Sequence, residues 1–556
     1  MNASPAQSRL PQAWLVMFIA ASLVGTYLRL DQFLSQVLID DEWHAVHQVL
    51  QRTPGMMFLD LGHADYSIPL GILAWVQARW WGLSEIALRW PMLASGLALL
   101  FVLPLYVAPR LGRATAAIFA LLIAISPTLV LYSRMARPYA ITLLLGWIAH
   151  AAFQQYHASP RGQTRAGLVY GACATLATWL HPVVALFALA PLIWALAPLR
   201  RASPAERHAR LLRLARLAIP TGIVIAALVL PPLVAHPQSL ADKSGVDMPD
   251  IQTLIGAWYA WLGTPSTAAV VVCIALAAYG APNVWRALPE ARTGTLGIAL
   301  TLLAVMLTRP IWSQNSLTLA RYLLSFVPLL LLAVAAGAVR FASHIAAPPT
   351  TGRRALAAGV AALPIFVLAA QSPLAPMLRH PNGQTVHMMY QFDFRPEKNP
   401  FLQRFDLMPL SPFWQSLAAR PAGSVRIAAA PFYFESYDWH APRWELRSRQ
   451  TVLPGYLAGF CTDRRWGEVP QSPMFNFRNA VHLADDAALA RQRIDYVVWQ
   501  KPYVQTAHGR SETIGADTAH CESALRAKFG PPAFEDSTII AFRVPRADPL
   551  GPDAER

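Results

Sequence analysis

The chain has 556 residues, 55% of them hydrophobic and only 14% charged, where an ordinary soluble domain carries about 25% charged residues. That balance excludes an intrinsically disordered chain, and four cysteines exclude a disulfide-stapled mini-protein. The net charge of +15 comes from 46 Lys and Arg against 31 Asp and Glu, and its distribution decides what it means. Residues 1–370 hold 25 basic and 12 acidic residues (net +13), and residues 371–556 hold 21 and 19 (net +2). The sequence therefore divides into an apolar membrane domain, 1–371, and a water-exposed domain, 372–556.

A membrane span needs roughly 20 apolar residues. In chain order the candidates are 11–30, 89–108, 115–132, 138–156, 166–181, 183–198, 217–235, 266–282, 295–311, 322–339 and 355–371. The first reads as a signal anchor, because it is long and no small-residue cleavage site follows it. Segment 67–84 is also long enough to span, yet it carries Arg79 and the cluster Trp75, Trp80 and Trp81, which suits a helix lying at the interface. The positive-inside rule decides the matter. With 67–84 on the surface and the N-terminus cytoplasmic, the loops bearing Arg110 and Arg113, Arg161 and Arg165, Arg200 to Arg216, Arg286 and Arg292, and Arg340 to Arg354 all fall inside. The reading is eleven spans, N-terminus in and C-terminus out, with the charge excess orienting the chain rather than binding nucleic acid.

The first outside loop, 31–88, is acidic and holds two expected surface helices, near 41–52 and 67–83. Its run Ile39-Asp40-Asp41-Glu42-Trp43-His44 places carboxylates at a membrane surface. They read either as an unpaired general base or as an acidic helix start complementing the macrodipole. Asp41, His44 and His47, spaced by three, also leave a metal reading open, without a further ligand cluster to complete it. Farther on, His63, Asp65 and Tyr66 lead into the surface helix as a substrate-loop motif or as turn and capping chemistry.

The short loop 133–137 places Arg134 and Arg137 outside, against the charge bias, just before Tyr139. Two guanidinium forks there suit a phosphate, and the competing reading is snorkelling to lipid headgroups. Arg309 and Arg321-Tyr322 close the outer ends of two later spans, and His181-Pro182 closes another. Arg321 joins the candidate anion site. Arg309 joins it or snorkels, and a lone histidine such as His181 is more often a hydrogen-bonded structural residue than a catalyst.

In the polar region Ser424–Ala430, Asp495–Trp499 and Thr538–Val544 read as strands and 485–493 as a helix, giving a mixed α/β domain. The aromatic run from Phe432 to His440, with Trp444, reads as sugar-stacking surface or as core packing. Cys461 and Cys521 can pair if this domain is extracytoplasmic, but sequence does not give their distance.

Taken in order, a first span, an outside Asp-Glu, a surface helix, Trp81-Gly82-Leu83-Ser84-Glu85 through Arg89, Ser126-Pro127 through Tyr132-Ser133-Arg134 and Arg137-Pro138-Tyr139, His181, and Arg321-Tyr322 with Pro328 resemble the GT-C class of polyprenyl-phosphate-sugar-dependent glycosyltransferases. Its nearest kinds are the protein O-mannosyltransferases and the lipid A aminoarabinose transferase. The likeness spans roughly residues 10–340 and leaves the polar domain uncovered. It implies a multi-pass bacterial inner-membrane enzyme with its site on the periplasmic face. That enzyme would move a sugar from a polyprenyl phosphate, with inversion, to a lipid, glycan or protein acceptor, using no cofactor. It implies Asp41 as the base with Glu42 beside it, and Arg134 or Arg137 as the donor-phosphate ligand, with Arg321 kept as a candidate from its own position. His63, Asp65, Tyr139 and His181 would then lie around the substrate. The His-Pro-Pro or Lys-Pro common before the family's surface helix reads His63…Ser67-Ile68-Pro69 here. The alternatives from other classes are a lipid-linked-substrate flippase and a non-catalytic envelope assembly protein. A transport path would need polar groups along the spans, whereas here they gather on one face.

Overall fold

The structure is a computed structural model, and it describes residues 6–38, 42–60, 67–158, 164–241, 243–311, 313–347, 350–370, 372, 374, 409–432, 440–457, 459–462, 477–507 and 510–545. Asp40, Asp41, His63, Asp65 and the run Tyr433–Trp439 lie outside them.

The first part is all helix. In order it runs α1 (Ala6–Leu30), α2 (Trp43–Gln51), α3 (Pro54–Leu59), α4 (Ile68–Trp80), α5 (Glu85–Leu111), α6 (Arg113–Ile125), α7 (Pro127–Ser133), α8 (Tyr139–Ala158) and α9 (Thr164–Leu180). It continues through α10 (Ala185–Trp194), α11 (Pro204–Ala235), α12 (Gln238–Ala241), α13 (Ile251–Leu262), α14 (Thr267–Ala287), α15 (Pro289–Thr308), α16 (Ser316–Tyr322), α17 (Phe326–Ile345) and α18 (Thr351–Ala370).

Each predicted span coincides with a helix, and the chain is a polytopic α-helical membrane protein. Among the described residues seven helical segments are individually long and apolar enough to cross a bilayer, and α6 with α7 makes an eighth, bent by 59°. The remaining three are marginal by that measure. The apolar part of α1 is Trp14–Leu30, α9 has 17 residues, and α8 carries polar residues such as His150 and Gln155.

The bend has a local cause. Ser126 adopts an extended conformation and caps α7 by accepting from the Leu129 amide, and Pro127 occupies the first helical position, where its missing N–H costs nothing. Gly263, at φ 69°, ends α13 against the Pro127 ring, and a Cβ there would overlap that ring. α17 is the central helix, with 67% of its apolar window buried, whereas α11 and α18 are peripheral at 17%. α14 crosses α17 where Gly280 and Gly337 face each other so closely that a Cβ on either would strike backbone, the small-residue packing that stands in for a hydrophobic drive within lipid. The peripheral faces expose Val16, Ile19 and Leu23 on α1, Ile219, Ile223 and Val234 on α11, and Phe366 on α18, as a lipid-facing belt does.

The surface helices expected in the first loop are α2 and α4, and α3 lies between them with Thr53 as its cap. Sequence periodicity did not reveal α13 and α16, which lie within loops. Each is short and is started by an Asx cap, Asp250 for α13 and Asn315 for α16.

The C-terminal part is the α/β region that the sequence pattern implies. β1 (Arg426–Ala430), β2 (Thr451–Tyr456), β3 (Val481–His482), β4 (Tyr496–Gln500), β7 (Phe534–Glu535) and β8 (Ile539–Arg543) form one sheet in the order β3-β2-β1-β4-β8-β7. The first four run parallel and β8 is antiparallel to β4 and β7. A separate hairpin pairs β5 (Tyr503–Ala507) with β6 (Arg510–Ile514). The helices are α19 (Pro412–Ala418), α20 (His440–Ser448), α21 (Asp486–Arg491) and α22 (Cys521–Phe529). Trp444 is core, stacked on Trp414 at 4.8 Å between ring centroids. Cys461 and Cys521 form a disulfide with Cα atoms 5.3 Å apart.

This region sits on one end of the helical bundle, where α1 finishes and α5 and α8 begin. Phe432 and Phe477 pack on Trp43, with ring centroids 4.9 and 5.7 Å away. The Glu85 carboxylate accepts from the backbone amides of Arg478 and Asn479 at 3.0 and 2.8 Å. The Asn479 amide group donates to the carbonyls of Leu34 (2.8 Å) and Gln36 (3.3 Å).

Candidate active site

The candidate residues gather at that same end, in two groups joined by the turn between α7 and α8. The first group is centred on Arg89, in the first turns of α5 and fully buried. Its Nε and Nη2 donate to the two Glu42 carboxylate oxygens at 2.6 and 2.7 Å, a bidentate pair. Nη1 and Nη2 also donate to the carbonyls of Gln36 and Val37 at 2.8 and 2.7 Å. Glu42 Oε1 accepts in addition from the Ala136 amide at 2.8 Å. The Trp43 indole donates to Leu38 O at 3.1 Å. The chain on both sides of residues 39–41 is therefore pinned. Sequence reading placed Glu42 beside the base as a second catalytic carboxylate, and the structure pairs it with Arg89.

Arg134 is 2% exposed and packs beside this pair. Its Nη1 donates to Leu28 O at 3.0 Å, and Nε and Nη2 lie 3.4 Å from Gln36 Oε1. Burial, followed by the nearby positive charge of Arg89, lowers its proton affinity to about 10. Arg29 is close by. It donates to the carbonyls of Gly25 (2.9 Å), Ile123 (3.3 Å) and Ala124 (3.4 Å) and lies 3.3 Å from Ser133 Oγ. Among the described residues neither Arg29 nor Arg134 forms an ion pair with a carboxylate. Arg29, Arg89 and Arg134 are all buried at this end of the bundle, where the buried carboxylates among the described residues are Glu42 and Glu85.

The second group lines a narrow pocket of about 20 Å³, with walls that include Tyr139, Thr142, His181, Thr301, Arg321 and Tyr322. The Arg321 guanidinium carbon is 5.7 Å from the centroids of both Tyr139 and Tyr322. The His181 ring is 5.4 Å from Tyr139 and 6.1 Å from Tyr322. Arg137, 7% exposed, is near enough for its charge to act on His181, as is Arg321. So Tyr139, His181 and Arg321, far apart in sequence, share one pocket, and Arg134 and Arg137 stand in the turn that separates it from the Glu42–Arg89 pair. Arg309 instead ends α15 in the left-handed region, at φ 48°.

Among the described residues no group of three or more His, Cys, Asp or Glu is arranged to hold a metal ion. Asp41 and the His47 side chain, two of the three residues of the metal reading, lie outside the description. Sequence reasoning missed Arg29, Gln36 and Asn479 and gave Arg89 no role. The available signal was that Arg29 and Arg89 flank the acidic loop at the ends of consecutive spans, where two cations need partners.

No protein-family model matches this chain, and no curated protein matches it. Among solved structures it is similar to ArnT from Cupriavidus metallidurans bound to undecaprenyl phosphate, with 14% identity over 95% of this chain and 98% of that one and a TM-score of 0.41. The apo state of the same protein gives 14% identity, coverage of 96% and 98%, and a TM-score of 0.42. The apo oligosaccharyltransferase from Archaeoglobus fulgidus gives 14% identity, 88% of this chain, 69% of that chain and a TM-score of 0.41.

Proposed function

We propose that this protein is an integral-membrane inverting glycosyltransferase. It moves a sugar from a polyprenyl-phosphate donor to an acceptor on the extracytoplasmic face of a bacterial inner membrane. The observation that carries the reading is the concentration of guanidinium groups, Arg134, Arg137 and Arg321, around one bundle end, beside a pocket with aromatic and histidine walls. An anionic leaving group needs fixed positive charge where its own charge develops, and buried arginines supply it without reorganisation. The motif order of the sequence, which resembles the GT-C class, supports the same reading.

In this mechanism the acceptor presents a nucleophile, most simply a hydroxyl. Asp41 takes its proton as the oxygen attacks the anomeric carbon from the face opposite the donor phosphate. The C1–O bond to that phosphate breaks with its electron pair, and the polyprenyl phosphate leaves onto the arginines. A phosphate leaves without general acid help. Glu42, through Arg89, holds the 39–41 segment in place. Tyr139 and His181 line the donor pocket, and His63 and Asp65 are further candidates for substrate contact. The N-terminus is cytoplasmic, residues 1–371 form the membrane domain and 372–556 a periplasmic domain, following the arginine bias of the inner loops. The acceptor is a lipid, glycan or protein.

The test is sugar transfer in membranes from a labelled polyprenyl-phosphate sugar, comparing wild type with Asp41→Asn. Loss of transfer with unchanged expression and unfolding temperature is expected. Full activity in the variant removes Asp41 as the base, and no transfer from any polyprenyl-phosphate sugar by wild type removes the enzyme reading.

A further inference from the structure

The far end of the bundle carries a second built feature that sugar transfer does not use. Between α5, α6, α8, α15 and α17 lies a groove of about 90 Å³, partly open at its side. Its walls are almost wholly apolar, among them Leu103, Leu144, Ile148 and Leu332. Two polar groups interrupt them, and both are incompletely satisfied. Glu290, 6% exposed at the start of α15, accepts from the Tyr106 hydroxyl on Oε1, but among the described residues its buried Oε2 has no partner. The Trp147 indole N–H is likewise buried without an acceptor. A buried carboxylate oxygen and a buried indole donor left open in an otherwise well-packed bundle are costly unless something fills them.

A second charge completes the pattern. Arg110, one turn beyond Tyr106, lays its guanidinium over the Tyr106 ring at 3.8 Å and is itself exposed. Arg110 and Glu290 thus stand together at the ends of their helices, with the apolar groove running away from them into the bundle. On α5, Arg110 is 21 residues from Arg89, which is about 30 Å along a helix. The feature is therefore separate from the candidate active site.

We propose that this groove is a binding site for an aminophospholipid of the phosphatidylethanolamine type. The groups match in order. The primary ammonium carries three N–H donors and an opposite charge for Glu290 Oε2. The phosphate beside it meets Arg110. An ester carbonyl accepts from Trp147, and one acyl chain lies on the apolar wall, which drives most of the binding. A choline headgroup has the charge but no N–H to donate. A glycerol headgroup can donate but carries no positive charge. A polyprenyl phosphate has neither an ammonium nor an ester carbonyl, and its phosphate would face a carboxylate. The site is independent of the glycosyltransferase reading, and its bound lipid anchors α5 to α15 at the level of the arginine-rich loops.

The experiment uses the full-length protein, delipidated in mild detergent and exposed to equal amounts of phosphatidylethanolamine, phosphatidylglycerol and phosphatidylcholine with identical chains. Bound lipid is counted by native mass spectrometry. Wild type should retain phosphatidylethanolamine about tenfold over the other two, the size expected when one charge-assisted hydrogen bond distinguishes ligands. Glu290→Gln should bring the three to parity. Trp147→Phe should loosen all three alike and keep the preference. Equal retention of the three lipids by wild type overturns the proposal, whether or not Glu290→Gln folds. An undiminished preference in a folded Glu290→Gln protein overturns it too, as does occupancy by polyprenyl phosphate that phosphatidylethanolamine cannot displace.

Discussion

The two arginine groups at the site end of the bundle differ in what surrounds them. Arg89 spends four donor contacts on Glu42, Gln36 and Val37, all within the protein. Arg321 lines a pocket, flanked by two aromatic faces. The first arrangement fixes a loop, because a buried charge with every direction filled has nothing left to offer a substrate. The second stands at a pocket wall, where the proposed mechanism seats the donor phosphate. Arg134 lies between the extremes, buried and held by a carbonyl and a neutral amide, with no carboxylate hydrogen-bonded to it among the described residues. Residue type alone would rank all three as phosphate ligands, and only their partners separate them.

Breaking the filled arrangement should have the largest effect on stability. Arg89→Leu leaves the Glu42 carboxylate buried and uncompensated, an expected loss of about 3–5 kcal/mol, read as a fall in unfolding temperature in detergent. Adding Glu42→Gln should recover much of that loss. If the double variant is no more stable than Arg89→Leu, the pair is not acting as a unit. Breaking the open arrangement should reverse the pattern. Arg321→Ala is expected to lower sugar transfer by about 10²-fold with little change in unfolding temperature, the scale seen when one transition-state charge partner is removed. A large drop in stability with normal activity per folded molecule would put Arg321 in the structural group.

A smaller effect probes how the C-terminal region bears on the site. Asn479→Ala removes the amide donations to Leu34 and Gln36, the carbonyls that lead into the acidic loop. The expected cost is about 1 kcal/mol of stability, together with a several-fold fall in turnover and little change in donor KM. The smallest effect is distant from both groups. At Asp536 burial alone would raise the carboxyl, but hydrogen bonds from Ser411, Thr538 and Ile539 outweigh it and hold it below its ordinary value of 3.8. With the folded value depressed, its stabilisation is present above about pH 4 and is lost as pH falls further. Wild type should therefore lose stability in acid over that window more steeply than Asp536→Asn, measured by unfolding at stepped pH.

The sequence carried the fold further than the site. Span positions follow from apolar runs, because a bilayer sets both the length and the hydropathy of a crossing helix. The arginine asymmetry of the loops gave the expected orientation. The strands at 426–430, 496–500 and 539–543 were legible as short apolar runs between polar stretches. α13 and α16 were not, since each is short and starts at a side-chain cap within what reads as loop.

For the site, sequence alone determined the inventory: an acidic first loop, two arginines in the five-residue turn 133–137, and Tyr139, His181 and Arg321 at the ends of separate helices. Tertiary structure decided the partners. Whether a carboxylate is a base or half of an ion pair depends on whether an arginine 47 positions away reaches it, and Arg89 reaches Glu42. Whether Tyr139, His181 and Arg321 form one pocket depends on how α8, α9 and α16 converge. Whether Cys461 and Cys521 pair depends on two chain segments 60 residues apart meeting. Composition and periodicity report local free-energy preferences, whereas partner choice is a matter of distance between segments remote in sequence, which packing alone sets.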